Sequence, residues 1–157
     1  MKAFPAYPSK EDYSLWEIFK REEYTKATPK KQNEVKLQSA QFQYDHESNC
    51  CLIENKFPVI SPQELRGKSV LDLGCFTGGR IAYWKERYEF GEARGIDINP
   101  IFQEAGGLFA EKKNLDIEFQ TGFGEELPYE PNSFDFITFC TNFNCHSIHL
   151  FTIYQIM

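Results

Sequence analysis

The chain of 157 residues suits one domain with a real hydrophobic core, and its 41% apolar and 16% aromatic content exclude a disordered protein. The formal net charge of −6 argues against nonspecific binding to nucleic acid or to an anionic membrane. There is no apolar run of about 18 residues and no apolar signal-peptide core near the N-terminus, so the sequence predicts a soluble, cytoplasmic protein.

Residues 1–63 are predicted to form a helical extension followed by a connection to the main domain. The first helix is expected over residues 11–27 and to end before Pro29, and a second helix is expected over residues 31–44. Residues 45–63 are rich in Asn, Pro and Ser and are interpreted as the connection. We expect the aromatic residues of the first helix to pack on the main domain. They are Tyr13, Trp16, Phe19 and Tyr24.

Between residues 64 and 140 the strand and helix patterns alternate. This alternation predicts an α/β fold with a doubly wound, mainly parallel sheet, whose ligands bind beyond the carboxyl ends of the strands. Strands are expected over residues 68–73, 93–98, 115–120 and 134–140, and helices over residues 79–90 and 100–113.

Residues 141–157 differ from the rest of the chain, because no Asp, Glu, Lys or Arg occurs from residue 136 to residue 157. They are interpreted as an atypical uncharged tail, and the sheet is expected to be incomplete at its C-terminal side. The five cysteines are an odd number without a secretory signal, which indicates reduced thiols. No metal site is predicted, since the spacing of Cys140, Cys145 and His146 fits no common zinc pattern.

The most distinctive stretch is Asp72-Leu-Gly74-Cys-Phe76-Thr-Gly78, where an apolar strand with one acidic residue breaks into glycines. A carboxylate inside an apolar strand is costly unless hydrogen-bond donors meet it. The expected donors for Asp72 are the amides of the glycine turn, a ligand, or both. Glycines let a ligand approach the backbone closely, and the amides at the start of the following helix favour an anion.

This stretch resembles the first motif of the class I S-adenosylmethionine-dependent methyltransferases, acidic-x-Gly-x-Gly-x-Gly, with Phe76 in place of the middle glycine. The resemblance implies a Rossmann-like methyltransferase fold with S-adenosyl-L-methionine as cofactor. It implies that Asp72 lies near the methionyl end and that the turn amides hold the methionine carboxylate. Phe76 is expected to keep a negative φ, and its ring to wall the methionyl pocket.

Asp97 ends the second predicted strand, about 20 residues past the glycine turn, where a carboxylate can accept hydrogen bonds from ribose hydroxyls. The structural alternative at this position is a helix cap, which Asn99 before Pro100 provides without any ligand. By the resemblance, Ile98 lines one face of the adenine.

A third matching segment reads Gly-Phe-Gly-Glu-Glu-Leu-Pro from Gly122, similar to the family's Gly-Asp-Ala-Glu-x-Leu-Pro. Phe123 stands where the family commonly has the aspartate that meets the adenine amino group. Stacking on adenine and ordinary core packing are both open for this residue. Gly124 is expected to offer its backbone amide, and Asp135 to brace the fourth strand.

Together these motifs predict a methyltransferase that acts on a small-molecule acceptor, with neither nucleic acid nor membrane as a partner. The alternatives are a noncatalytic, truncated fragment or binding module that retains the cofactor half and, more distantly, an NAD-dependent dehydrogenase. No catalytic residue is assigned, and the N-terminal extension is a candidate lid over the substrate pocket. The predicted cofactor-binding residues are Asp72, Gly74, Cys75, Phe76, Gly78, Asp97, Ile98, Phe123 and Gly124.

Overall fold

The computed structural model of the chain describes residues 18–56, 60–124 and 126–139. Six helices and four strands lie within these ranges, and strands alternate with helices from β1 to β3. In chain order the elements are α1 (Glu22–Thr25), α2 (Pro29–Cys50), α3 (Leu52–Lys56), α4 (Pro62–Leu65), β1 (Ser69–Leu73), α5 (Gly79–Tyr88), β2 (Glu92–Asp97), α6 (Pro100–Lys113), β3 (Glu118–Thr121) and β4 (Phe136–Phe139).

The four strands form one sheet in the order β3-β2-β1-β4, and every pair is parallel. This confirms the predicted α/β fold with a parallel sheet. The register places Asp72 of β1 between Gly95 of β2 and Thr138 of β4. Because the strands are parallel, the carboxyl ends of β1, β2 and β3 lie at one edge of the sheet, where the sequence predicts the ligand.

The N-terminal extension differs from the prediction. The expected continuous helix over residues 11–27 is wrong in its described part, because Arg21 is extended and α1 alone follows it. Pro29 begins α2 rather than ending a helix, since a proline fits the first helical position and the Thr28 side chain caps it by accepting from Lys31 N at 3.4 Å. Residues 11–17 lie outside the described part of the chain.

The predicted connection over residues 45–63 is also wrong in part, because α2 continues to Cys50 and two short helices follow it. The polar residues that suggested a loop bond back onto the helix. Ser48 Oγ and Asn49 Nδ2 both donate to the carbonyl oxygen of Asp45 at 2.8 Å. Such side-chain bonds satisfy the polar groups without ending the helix.

The main core lies where α5 packs on the sheet. Trp84 and Tyr88 are fully buried there and pack with Val70, Ile81 and Phe90. Helix α2 lies across α5 and α6, and its Ala40 packs in a second cluster with Ala82 and Phe109. The N-terminal helical layer therefore belongs to the core of the domain.

The aromatic residues of the N-terminal extension pack as the sequence predicts, as far as they are described. Phe19 and Tyr24 are buried and form a third cluster with Phe76 and Phe102. Tyr13 and Trp16 lie outside the described residues, as do the tail 141–157 and the Cys140–His146 spacing. None of the described helices combines the length and apolarity of a membrane span.

Candidate functional site

The glycine turn between β1 and α5 is fixed to the neighbouring strand by its own backbone. Gly74 N and Cys75 N both donate to the carbonyl oxygen of Ile96, at 2.8 and 3.1 Å. Gly74 and Gly78 have φ values of +67° and +78°, in the left-handed region that glycine adopts without steric cost. Gly74 is exposed, so a ligand can reach the backbone at the end of β1.

Phe76 also takes the left-handed conformation, with a φ of +53°, and the expectation of a negative φ is wrong. Such a backbone conformation costs a bulky residue about 1–3 kcal/mol. Two contacts offset this cost. Phe76 N donates to Asp97 Oδ2 at 3.0 Å, and the ring lies edge-on to Phe102 with the centroids 4.3 Å apart. The ring is only 7% exposed, so it is a core contact of the turn and not the wall of an open pocket.

Asp97 ends β2 and joins three parts of the site. Its Oδ2 accepts from Phe76 N, and its Oδ1 accepts from Asn99 N at 3.1 Å. Asn99 is the cap of α6, accepting from Ile101 N at 3.0 Å, as the sequence predicts. The half-buried Asp97 carboxylate keeps further lone pairs on both oxygens, so the structural contacts leave room for hydroxyl donors.

Asp72 meets donors other than those expected from the sequence. Arg80 donates from Nη2 to both carboxylate oxygens at 2.8 Å and from Nε to Oδ2 at 3.2 Å. Thr138 Oγ1 of β4 donates to Oδ1 at 2.8 Å. Burial raises the pKa of the Asp72 carboxyl, and the Arg80 charge opposes that shift.

Asp72 supports the site through its pair with Arg80 and not through a direct contact with a ligand. Asp72 is fully buried, and the expectation that turn amides or a ligand supply its donors is wrong in this arrangement. Arg80 Nη2 also donates to Gly74 O at 3.4 Å, so the pair supports the turn from inside the protein. In the sequence, the signal for the partner of Asp72 was a basic residue, Arg80, in the first turn of α5.

The predicted adenine side lies at the ends of β2 and β3. Gly122 N donates to Asp97 O at 2.9 Å, which brings the segment after β3 against the end of β2. Ile98 is 62% exposed and Phe123 is 63% exposed, so core packing, one of the two readings of Phe123, is wrong. A Cβ on Gly124 would meet nothing within 4 Å, so its backbone is open to a ligand.

Cys75 and Gly78 are both buried within the turn. The Cys75 thiol is buried, and burial raises its pKa well above 9, which leaves it protonated and unreactive. A Cβ on Gly78 would lie 2.6 Å from the Phe119 ring and 2.9 Å from Gly106 Cα. This glycine is therefore required by close packing of the turn on β3 and α6.

Asp135 braces the strands, as the sequence predicts. Its Oδ2 accepts from Ser69 N and Ser69 Oγ, both at 2.9 Å, and Lys68 Nζ donates to its Oδ1 at 3.1 Å. The bond from Ser69 N is the main cause that lowers the pKa of the Asp135 carboxyl. This contact ties the segment before β4 to the start of β1.

Sequence reasoning missed a residue of the N-terminal helix that reaches the glycine turn. Gln43 of α2 is 6% exposed, and its Oε1 accepts from Gly79 N at 2.8 Å. Thr77 Oγ1 donates to the same oxygen at 3.4 Å, and Gln43 Nε2 donates to Cys75 O at 3.2 Å. An isolated polar residue in a helix that lacks an apolar stripe gives no signal of such a role.

The curated proteins that this chain resembles in sequence include O-methyltransferases. A family model described as a methyltransferase domain matches residues 70–154 and so extends into the segment 141–157. A probable chloroplastic tocopherol O-methyltransferase of Oryza sativa subsp. japonica is 33% identical over 81 residues, which are 50% of this chain and 22% of that protein. The ubiquinone biosynthesis O-methyltransferase of Neisseria meningitidis is 40% identical over 77 residues, which are 48% of this chain and 32% of that protein.

Among solved structures, the YcgJ protein of Bacillus subtilis matches 57% of this chain and 37% of its own, at 30% identity and a TM-score of 0.48. The stretches matched in the two curated relatives are 22% and 32% of those proteins, which is about a third or less of their length. The family model nevertheless covers more than half of the chain and includes the glycine turn, Asp97 and Phe123. On this basis the chain belongs to the class I S-adenosylmethionine-dependent methyltransferase domain family.

Proposed function

We propose that this chain binds S-adenosylmethionine at the carboxyl ends of β1, β2 and β3. We further propose that the protein transfers the cofactor's methyl group to a small-molecule acceptor. The observation that carries the proposal is Asp97, whose half-buried carboxylate holds the backbone of the glycine turn and faces the ligand edge of the sheet. One residue therefore couples the shape of the turn to the position of a ribose.

The side chains at the ends of β2 and β3 fit the adenosine half of the cofactor. The free lone pairs of Asp97 suit the two ribose hydroxyls, which would be charge-assisted hydrogen bonds. Ile98 and Phe123 are large apolar side chains left exposed at neighbouring strand ends, and an adenine ring would cover them. The open backbone of Gly124 suits a hydrogen bond to the adenine edge.

The glycine turn fits the methionyl half through its backbone and not through Asp72. Gly74 is exposed at the end of β1, and the amides at the start of α5 lie beside it. Asp72 and Arg80 support this turn from the core, and Phe76 anchors it to α6. When bound, the cofactor supplies a methyl carbon on a sulfonium, and the chain's own part is to hold and orient it.

The nature of the acceptor rests on the relatives. The two curated relatives are named as O-methyltransferases, one for tocopherol and one in ubiquinone biosynthesis, which supports a small organic acceptor. The N-terminal segment lies against the turn through Phe19, Phe76 and Phe102, which supports the interpretation of that segment as a cover for the site. The domain boundaries at residues 63 and 140 and the cytoplasmic location stay predictions.

Calorimetry on the folded chain tests the cofactor proposal. S-adenosylhomocysteine should bind, and NADH at the same concentration should not. Tighter binding of the dinucleotide would contradict the proposal and favour a dehydrogenase. A screen of phenolic and quinol acceptors with labelled cofactor then tests methyl transfer separately from binding.

A further inference from the structure

The buried side chain of Gln43 closes the glycine turn from the side opposite the ligand edge. It lies on α2, yet it bonds both ends of the turn: it donates to Cys75 O at 3.2 Å and accepts from Gly79 N at 2.8 Å. A primary amide carries one acceptor oxygen and a donor nitrogen, so it pairs with a carbonyl and an N–H at once. A carboxylate or an apolar side chain of the same size satisfies at most one of them.

The surroundings of Gln43 are tightly packed, because α2 and α5 touch backbone to backbone. A Cβ on Gly79 would stand 1.9 Å from Ala40 O and 2.6 Å from Tyr44 N, both of α2. The Thr77 hydroxyl is also fully buried and donates to Gln43 Oε1 at 3.4 Å. Removing the Gln43 amide would therefore leave buried polar groups of the turn without their partner, which changes the preferred conformation of the turn.

The contacts that dock α2 are separable from the contact that shapes the turn. Lys36, two turns earlier on the same helix, is buried and pairs with Glu104 of α6. Ala40 provides the backbone contact to Gly79 without any side-chain hydrogen bond. Gln43 is thus the described α2 residue whose side chain bonds the turn's main chain at both ends.

We propose that Gln43 is a positioning residue for the cofactor, which sets the conformation of the turn that receives the methionyl end. This inference rests on the proposed function, because it assumes that the ligand of the turn is S-adenosylmethionine. It adds that the affinity of the glycine turn for the methionyl end depends on the side-chain amide of Gln43 on α2. The effect should be larger for ligands that carry the amino-acid portion, since Gln43 bonds the main chain of the turn and not the side chains of Asp97, Ile98 or Phe123.

Two ligands separate this positioning role from general stability. S-adenosylhomocysteine carries the amino-acid portion, and 5′-methylthioadenosine carries the same adenosine without it. For Gln43→Leu we expect about a tenfold loss of affinity for the first ligand, the equivalent of roughly one buried hydrogen bond. The second ligand should lose less than about twofold. Gln43→Asn keeps the amide but is too short to reach both ends, so it should show a smaller loss with the same selectivity.

Lys36→Met is the matched control, since it removes a buried polar contact on the same face of α2, two turns from Gln43. It should lower the midpoint of thermal unfolding and leave the ratio of the two affinities unchanged. Equal losses for both ligands in Gln43→Asn, or no loss in either Gln43 variant, would overturn the inference. Failure of the unsubstituted chain to bind S-adenosylhomocysteine would instead overturn the proposed function, before any variant is measured.

Discussion

Gly79 and Ala40 lie in backbone contact: a Cβ on Gly79 would stand 1.9 Å from the carbonyl oxygen of Ala40. At Gly79, the first residue of α5, helix α2 thus packs directly against the backbone of α5. The neighbouring Gly78 is required for its own reason, a φ of +78° and the nearby ring of Phe119. Two consecutive glycines therefore serve two different contacts.

Gly79→Ala should destabilise the protein, because a backbone oxygen cannot yield to the new methyl group without a shift of α2. We expect a loss of at least about 2 kcal/mol in the free energy of unfolding, measured by urea denaturation. Gly107→Ala is the control, since a Cβ at this exposed position of α6 would meet nothing within 4 Å. It should gain up to about 1 kcal/mol. A similar change in the free energy of unfolding for both variants would show that α2 does not pack directly against Gly79.

Arg80→Met should be among the most destabilising substitutions, because it leaves the fully buried Asp72 carboxylate without its charge partner. The expected loss is about 3–5 kcal/mol, and adding Asp72→Leu should recover much of it. Arg66→Met removes an exposed ion pair with Glu89 and should change the free energy of unfolding by less than about 1 kcal/mol. No recovery in the double variant would mean that the Asp72–Arg80 bonds themselves, and not charge burial, dominate.

The Glu47 carboxyl should make the free energy of unfolding depend on pH between its pKa in the unfolded chain and its pKa in the folded chain. Burial raises its pKa from 4.5 to about 7, opposed by the bond from Trp84 Nε1. Between these values the unfolded chain releases the proton and the folded chain keeps it, so the free energy of unfolding falls as pH rises and levels off above about 7. Relative to the unsubstituted chain, Glu47→Gln should become more stable by about 3 kcal/mol from pH 4 to pH 8.

Urea denaturation at several pH values measures this relative stability, and Glu111→Gln at an exposed position of α6 is the control for replacing a glutamate by glutamine outside the core. A difference between Glu47→Gln and the unsubstituted chain that stays constant with pH would show that the Glu47 carboxyl titrates as an exposed group. The carboxyl oxygen Oε2 has no partner among the described residues, which is why the charged form is costly in the folded state.

Asp97→Ala should weaken binding of S-adenosylhomocysteine by about 1.5–3 kcal/mol for each charged hydrogen bond lost. Calorimetry measures this, with circular dichroism to confirm that the domain stays folded. Asp116→Ala, an exposed residue just before β3 and so at the opposite end of the sheet, should bind like the unsubstituted chain. Unchanged affinity in Asp97→Ala would show that Asp97 has only a structural role, through its bonds with Phe76 N and Asn99 N.

The alternating part of the fold was predictable because each element there carries its own boundary signals. Helix α6 spans Pro100–Lys113, the predicted range, since Asn99 caps it, Pro100 occupies its first position and Asn114 ends it in the left-handed conformation. Strand β1 is a mostly apolar run that ends just before Gly74, and β2 ends just before the capping sequence Asn99-Pro100. Their observed ends differ from the prediction by a residue at most.

The contribution of α2 was not predictable from hydrophobic periodicity, because its buried face is largely polar. Lys36, Ser39, Gln43 and Glu47 recur there at helical spacing, and each meets a polar group of another element. Phe76 was mispredicted for a related reason. Its φ is set by Asp97 and Phe102, which are distant in sequence, and tertiary contacts of this kind override local steric preference.

The polar face of α2 has a consequence for how the chain folds during synthesis. This helix leaves the ribosome before α5 and α6, because the Glu104 that pairs with Lys36 follows 68 residues later and the Trp84 that pairs with Glu47 follows 37 residues later. A helix with charged groups on its inner face gains little by collapsing alone, so we expect it to dock only after α5 and α6 are available. We therefore expect the glycine turn to take its final form late, when α2 docks on it.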